Sequence, residues 1–256
     1  MAMVVFVGWG GPLLAQEDQK EWKEYKSNHF LIYYKDAPKD FVETVEQTAE
    51  AYYREITEDL GFQRYNNWAW DQRAKIYIYR DAGDYIDSAK LAKWSHGAAQ
   101  TRTKTIRTFP SAHGFFDTTL PHELGHIIFR EFVGFEVDIP IWFEEGVAMN
   151  QEKAKRWGSG KIVLQAIEQD RFIPLGELSH VQLPSDADPA LVDIVYAESA
   201  SVVYYIITEF GKQKFVNFCR KLKEKRSFEA AMKTAYFRFE DINHLNKSWI
   251  NYLHGR

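Results

Sequence analysis

The 256-residue sequence has very little cysteine and no strong excess of charge of either sign. Cys219 is the single cysteine, so an internal disulfide is impossible and a disulfide-stapled scaffold is excluded. The formal net charge is −4, which gives no electrostatic reason to expect a nucleic acid as partner. Hydrophobic residues make up 45% and aromatic residues 16% of the chain, so we expect a globular protein.

The first 16 residues are apolar, but they are too short to cross a membrane as a helix. They resemble the hydrophobic part of a secretory signal that ends at Ala15, although no basic residue precedes it and Leu13 is large for a cleavage site. We expect a truncated signal over 1–16 and a single exported domain, periplasmic or secreted, over 17–256. A cytoplasmic chain with a disordered or core-docked N-terminus is the alternative, and no stable membrane span is expected.

Hydrophobic periodicity divides the chain into a mixed first part and a helical second part. Strands are predicted at 28–35 and 75–80, with two shorter candidates at 94–100 and 104–109. Helices are predicted at 38–60, 82–93, from about 118 to 133, from 161 to a loop through Pro174, and at 193–210, 212–225, 227–236 and 240–253. We therefore expect an α+β fold with a small mixed N-terminal sheet lobe over about 17–135 and a helical C-terminal lobe over about 136–256.

Residues 122–126 read H-E-L-G-H, an H-E-x-x-H motif. On a helix, positions i and i+4 share a face, so His122 and His126 present both imidazoles to one point. Glu123 lies about 100° further round, close enough to reach a metal-bound water without being a ligand. A core helix that carries two histidines by chance is the alternative.

The ends of this helix also have sequence signals. Thr118 or Thr119 can cap its N-terminus, and Gly134 is the predicted stop.

A second acidic segment, Trp142-Phe143-Glu144-Glu145-Gly146, follows the motif helix. Glu145 lies 19 positions after His126 (145 − 126) and is the candidate third metal ligand. Glu144 is the alternative. Two imidazoles and one carboxylate leave a coordination position open, which is typical of catalytic rather than structural zinc.

The two segments together resemble the gluzincin branch of zinc metallopeptidases, whose pattern is HExxH followed by a Glu in W-x-x-E-G-x-A. The gap of 18 residues equals that of the M1 aminopeptidase family, whereas the chain length resembles that of the smaller bacterial peptidase MA-like proteins. The strong motifs cover about residues 117–150, and a weaker match covers 193–211. The resemblance implies a zincin-like fold with the active-site helix between the two lobes.

The resemblance also implies one Zn²⁺ per chain, held by His122, His126 and Glu145, because Glu145 aligns with the Glu before Gly in the family pattern. It implies that Glu123 takes a proton from a metal-activated water and passes it to the leaving amine. Thermolysin-like members carry an Asp four residues after the ligand Glu that orients a zinc-bound His, whereas this chain has Met149 there.

A tyrosine that donates to the oxyanion is implied as well. M1-like enzymes take it from a Y-E-K-G segment that opens a helix, and Tyr196-Ala197-Glu198-Ser199 opens a similar apolar helix here. Tyr196 is therefore the predicted catalytic donor, although Glu198 and Ser199 replace the family's Lys and Gly. A tyrosine packed in the core is the alternative.

The predicted substrate-binding residues are Gly97, Ala98 and Ala99. In gluzincins an edge strand before the HExxH helix pairs with the substrate backbone, and small residues allow another chain to approach closely. An ordinary hairpin is the alternative. Gln100 stands near the position where M1 aminopeptidases have a Glu that binds the substrate's amino group. Because an amide cannot pair with an ammonium as a carboxylate does, internal cleavage is favoured.

The sequence therefore predicts a zinc-dependent hydrolase of peptide bonds, an endopeptidase rather than an aminopeptidase, acting on peptides or proteins. A non-catalytic binding protein on a zincin scaffold is one alternative, against which the intact Glu123 argues. A zinc hydrolase of a non-peptide bond is another, because fold resemblance alone does not fix the substrate.

Overall fold

The structure, a computed structural model, describes residues 22–65, 68–89, 98–181, 183–184 and 187–255. The strands are β1 (Lys23–Lys26), β2 (Phe30–Tyr34), β3 (Ala74–Ile78), β4 (Ala98–Gln100) and β5 (Thr105–Thr108). The helices are α1 (Lys39–Leu60), α2 (Ala82–Ala89), α3 (Leu120–Val133), α4 (Ile141–Met149), α5 (Lys153–Glu168), α6 (Leu175–Leu178), α7 (Pro189–Phe210), α8 (Lys212–Lys225), α9 (Phe228–Ala235) and α10 (Ile242–His254). A small sheet followed by a mostly helical remainder confirms the α+β prediction.

The five strands form one sheet in the order β1-β2-β3-β5-β4. The central strands β2, β3 and β5 are parallel, while β1 and β4 pair antiparallel with their neighbours at the two edges of the described sheet. In the central register Ile32 pairs with Ile76 and Ile76 with Ile106, and all three side chains are fully buried. This apolar ladder explains the period-2 pattern that predicted the strands.

The edge strand β1 was not predicted from the sequence. Its residues, KEYK, are exposed apart from the half-buried Tyr25, so they have no apolar alternation to detect. Backbone pairing with β2 defines the strand, as is usual for a short charged edge.

The helical part follows its sequence signals closely over α8 to α10, whereas α5 and α7 begin earlier than predicted and α4 and α6 were not among the predicted helices. Gly211 has φ +81° and separates α7 from α8, as predicted. However, α7 begins at Pro189 and not at 193. The Asp188 carboxylate accepts a hydrogen bond from the Ala190 amide at 3.0 Å, and proline is well tolerated in the first turn. The helix therefore begins four residues earlier than predicted (193 − 189).

Contacts divide the chain into two compact units. The first comprises the described residues within Met1–Glu55 and Asn67–Ile127, and the second those within Ile56–Asn66 and Ile128–Arg256. The sheet belongs to the first unit and helices α4 to α10 belong to the second. The end of α1 joins the second unit because Phe62, just beyond it, stacks on Phe132 with ring centroids 3.9 Å apart.

Helix α7 is long and apolar enough to cross a membrane by length and composition alone. In this fold, 67% of its apolar window is buried against the rest of the protein, which is the environment of a core helix. The part of the chain that the structure describes therefore has no clear membrane span.

Candidate active site

Helix α3 carries the H-E-x-x-H motif, but it does not begin as the sequence suggested. A π-helical turn over Phe115–Thr119 leads directly into it from Gly114, whose φ is +72°. Thr118 and Thr119 lie inside this helical turn, and their own amides donate to the Gly114 carbonyl at 3.0 and 3.2 Å, so neither threonine is the N-cap residue and that prediction was wrong. Gly134, with φ +97°, follows the last residue of α3 as predicted.

The structure brings together the three predicted metal ligands. His122, His126 and Glu145 are all at least 95% buried, and one ligand atom from each lies within 4.8 Å of the others. The two histidine Nε2 atoms are 3.1 Å apart, and the two rings are inclined by 74°. The spacing of the motif on one face of α3 thus directs both Nε2 atoms to one point.

This donor set fits a zinc ion. Zinc binds imidazole nitrogen and carboxylate oxygen at about 2.0–2.2 Å, so tetrahedral ligand atoms lie about 3.3–3.6 Å apart. The observed donors are of the right kinds, lie within 4.8 Å of one another and belong to buried side chains. Three protein ligands leave a position open, as catalytic zinc sites do.

Helix α4 supplies Glu145 from a tightly enclosed position. Every residue of α4 from Trp142 to Met149 is buried. A Cβ atom on Gly146 would lie 2.2 Å from the carbonyl oxygen of Ser199 on α7, so the two backbones touch there. Asn150 then donates to the carbonyls of Gly146 at 2.7 Å and Ala200 at 2.8 Å, which joins the end of α4 to α7.

Glu144, the alternative third ligand, is turned to a different partner. Both of its carboxylate oxygens accept hydrogen bonds from the Arg130 guanidinium, one of them at 2.7 Å from Nε. Glu145 and not Glu144 lies in the cluster with the histidines. This role of Arg130 was not predicted from the sequence. The one indication there is that a charged residue lies one turn after His126.

The predicted oxyanion donor, Tyr196, is half-buried in the first half of α7. It lies three residues before Ser199, and therefore one turn from the point where α7 touches Gly146 of α4. Its catalytic role remains a prediction.

The predicted substrate strand is partly described. Gly97 lies outside the described residues, whereas Ala98 and Ala99 belong to β4. β4 pairs antiparallel with β5 across a short turn, so the segment is a hairpin and, within the described sheet, also its edge. The hairpin and edge-strand interpretations are thus compatible.

Comparison with known proteins identifies the family. Residues 63–255 match the family model of the Peptidase MA superfamily, which is well over half of the chain. The chain belongs to the Peptidase MA superfamily. No curated protein matches it.

Membership in the Peptidase MA superfamily confirms the gluzincin-type resemblance, while the finer likeness to M1 aminopeptidases stays a resemblance. The superfamily consists of peptidases that are generally metal-dependent. It therefore indicates peptide-bond hydrolysis, with peptides or proteins as substrates, and the cluster of His122, His126 and Glu145 could bind the metal.

A buried carboxyl follows Tyr196 on α7. Glu198 is fully buried, its Oε1 accepts from the Ile173 amide at 2.9 Å, and its Oε2 has no hydrogen-bond partner among the described residues. Burial raises the pKa of Glu198 from 4.5 to about 8, against the lowering effect of the Ile173 hydrogen bond. The carboxyl is therefore protonated at neutral pH.

This shift predicts how Glu198→Gln changes stability with pH. Because the folded pKa lies above the unfolded value, the folded protein keeps a proton that the unfolded chain loses, and stability falls as pH rises from about 5 to about 8. Glutamine keeps the acceptor for Ile173 and cannot ionise. We expect the free energy of unfolding of the variant, measured by urea denaturation, to exceed that of the parent by about 1–3 kcal/mol at pH 8 and by less toward pH 5.

A matched control is Glu50→Gln. Burial raises the pKa of Glu50, but hydrogen bonds from His29 and Ser27 outweigh it and hold that pKa below its usual value. Its stabilising contribution is therefore present above the unfolded pKa and is lost as pH falls through the folded pKa, so this variant should lose stability at neutral pH. An effect of Glu198→Gln that is constant from pH 5 to 9 would contradict the raised pKa.

Proposed function

We propose that the protein is a zinc-dependent endopeptidase. The observation that carries the proposal is the buried cluster of two imidazoles and one carboxylate in a chain of the Peptidase MA superfamily. His122, His126 and Glu145 would hold the ion. When bound, zinc supplies a Lewis acid that acidifies water and polarises a carbonyl group.

Glu123 is the proton carrier in this proposal. Its side chain is only 4% exposed and follows the ligand His122 on α3, so it lies beside the ligands without being one of them. Its carboxylate takes a proton from the attacking water and then delivers it to the nitrogen of the leaving amine. The group thus acts first as base and then as acid.

Tyr196 is the proposed donor to the negative oxygen that develops on the attacked carbonyl. The contact between α4 and α7 at Gly146 and Ser199 supports this role. It fixes the helix of Tyr196 against the helix of Glu145 at a point one turn away.

Internal cleavage is proposed because of the edge strand β4. Its backbone has a neighbour on one side, β5, among the described residues, and an extended peptide can pair with such an edge. Gln100 ends β4 with a neutral amide, whose Oε1 accepts a hydrogen bond from Thr103 at 3.0 Å. A neutral group offers no ionic partner for a substrate's N-terminal ammonium, which disfavours N-terminal trimming.

A non-catalytic binding protein on the same scaffold is the second candidate. Such a protein needs the enclosed ligand cluster but not a proton carrier, and the presence of Glu123 beside the ligands favours catalysis. A zinc hydrolase of a non-peptide bond would use the same groups. Family membership favours a peptide bond over a non-peptide bond as the substrate.

The proposal is tested by incubating the zinc-loaded protein with a mixed peptide library and mapping the cuts by mass spectrometry. We expect internal cuts that stop when a chelator removes the metal and return when one equivalent of zinc is added back. Glu123→Gln, loaded with zinc to the same level, is the matched control and should leave the library intact.

Each of the other possible results would support a different function or mechanism. Loss of N-terminal residues alone would replace endopeptidase by aminopeptidase. Cuts that persist in the chelator would exclude the metal mechanism. An intact library with one zinc per chain would favour the binding protein.

A further inference from the structure

Arg130 and Glu144 form a nearly buried ion pair beside the proposed metal ligands. Their side chains are 16% and 5% exposed. The Arg130 Nε donates to Glu144 Oε1 at 2.7 Å, and a second guanidinium nitrogen donates to Oε2, so the pair is bidentate. Planar bidentate pairs fix orientation as well as distance.

A third hydrogen bond extends the pair to the connecting loop. The remaining guanidinium nitrogen of Arg130 donates to the backbone carbonyl of Val137 at 2.9 Å. A single side chain therefore fastens three successive pieces of the chain, which are α3, the loop after it, and α4.

The sequence positions of the pair connect it to the ligands. Arg130 follows His126 by four residues, so it lies one turn further along the same face of α3. Glu144 directly precedes Glu145 on α4. The pair therefore joins the C-terminal half of α3 to the helix that carries Glu145.

We propose that Arg130 and Glu144 are positioning residues that hold Glu145 at the separation from His126 required for metal binding. This inference rests on the proposed function and adds a structural support that the ligands themselves do not reveal. The rigid guanidinium fork fixes Glu144, and with it the adjacent Glu145, against the C-terminal half of α3.

Positioning and simple electrostatics predict opposite results for Arg130→Gln. Removing a cation near a bound cation, and leaving Glu144 anionic, should strengthen zinc binding if charge alone matters. If the fork positions Glu145, the same substitution should weaken zinc binding. Arg130→Lys separates the two further, because lysine keeps the charge but loses the bidentate geometry.

The experiment measures zinc affinity by competition with a chromophoric chelator, using the full chain and zinc alone. We expect Arg130→Gln to weaken binding about 10–100-fold, the usual effect of losing a group that supports a metal ligand, and Arg130→Lys to weaken it about 10-fold. Cobalt added in place of zinc should show altered visible absorption bands in both variants, because the ligand geometry changes.

The matched control is Asp84→Asn, which breaks another largely buried pair, Lys35–Asp84 at 2.9 Å, in the other compact unit. It should lower the melting temperature of the metal-free protein while leaving zinc affinity unchanged. This comparison separates a local effect on the ligands from a general loss of stability. If Arg130→Gln does not fold, Arg130→Lys against the same control decides the question.

Unchanged or tighter zinc binding in the Arg130 variants would overturn the inference and leave the proposed function standing. A parent protein that binds no zinc would instead overturn the proposed function, and the inference with it. Weaker binding confined to the Arg130 variants supports positioning.

Discussion

Glu123→Gln should lower kcat for peptide cleavage by about 10²–10⁴-fold, with little change in KM or in bound zinc. The amide matches the carboxylate in size, so it fits the buried position of Glu123, which is 4% exposed. It cannot accept a proton from water at neutral pH, so only the proton-transfer step is lost. The measurement is steady-state kinetics on a fluorogenic peptide chosen from the mapped cuts, with zinc content determined in parallel.

The control for this variant is Asp117→Asn. Asp117 lies in the π-helical turn that leads into α3, so its substitution removes one negative charge close to the same helix. Its side chain is exposed, whereas that of Glu123 is buried. The control should cleave the peptide at the parent rate. Equal rates for Glu123→Gln and the parent would show that a different group carries the proton.

Local patterns were sufficient to predict most helices, because each has an apolar stripe and an explicit end. Gly134 and Gly211 stop α3 and α7 where their positive φ values require glycine. The spacing of His122 and His126 also fixed two of the three members of the metal cluster, since i and i+4 must share a face. These features depend only on neighbours in the chain.

Features that depend on distant parts of the chain were not predictable in the same way. The choice of Glu145 over Glu144 needed the family pattern, since either carboxylate could face the histidines on spacing alone. Arg130 was overlooked because its partner lies on another helix. The threonine cap was wrong because the π-helical turn that begins at Phe115 places both threonines inside the helical run and not at its N-terminus.

The contact between α4 and α7 is one of these long-range features, and it leads to the largest expected effect on stability. Gly146→Ala should destabilise the protein by more than about 3 kcal/mol, at or beyond the usual limit for overpacking. The new Cβ would lie 2.2 Å from the Ser199 carbonyl oxygen and 2.6 Å from a methyl group of Val203. Because the first of these is helix backbone, it has little freedom to move aside, so α4 must shift. The shift should also weaken zinc binding, because Glu145 is the adjacent residue.

The matched control is Gly158→Ala on α5, which makes the same chemical change inside a helix. A Cβ on Gly158 would meet nothing within 4 Å, and its φ is not in the left-handed region. Alanine there should raise stability by about 0.5–1 kcal/mol, because it restricts the unfolded chain and favours helix. Urea denaturation of the metal-free proteins should thus give effects of opposite sign. A loss below about 1 kcal/mol for Gly146→Ala would show that α4 and α7 separate readily, and that Glu145 does not depend on their contact for its position.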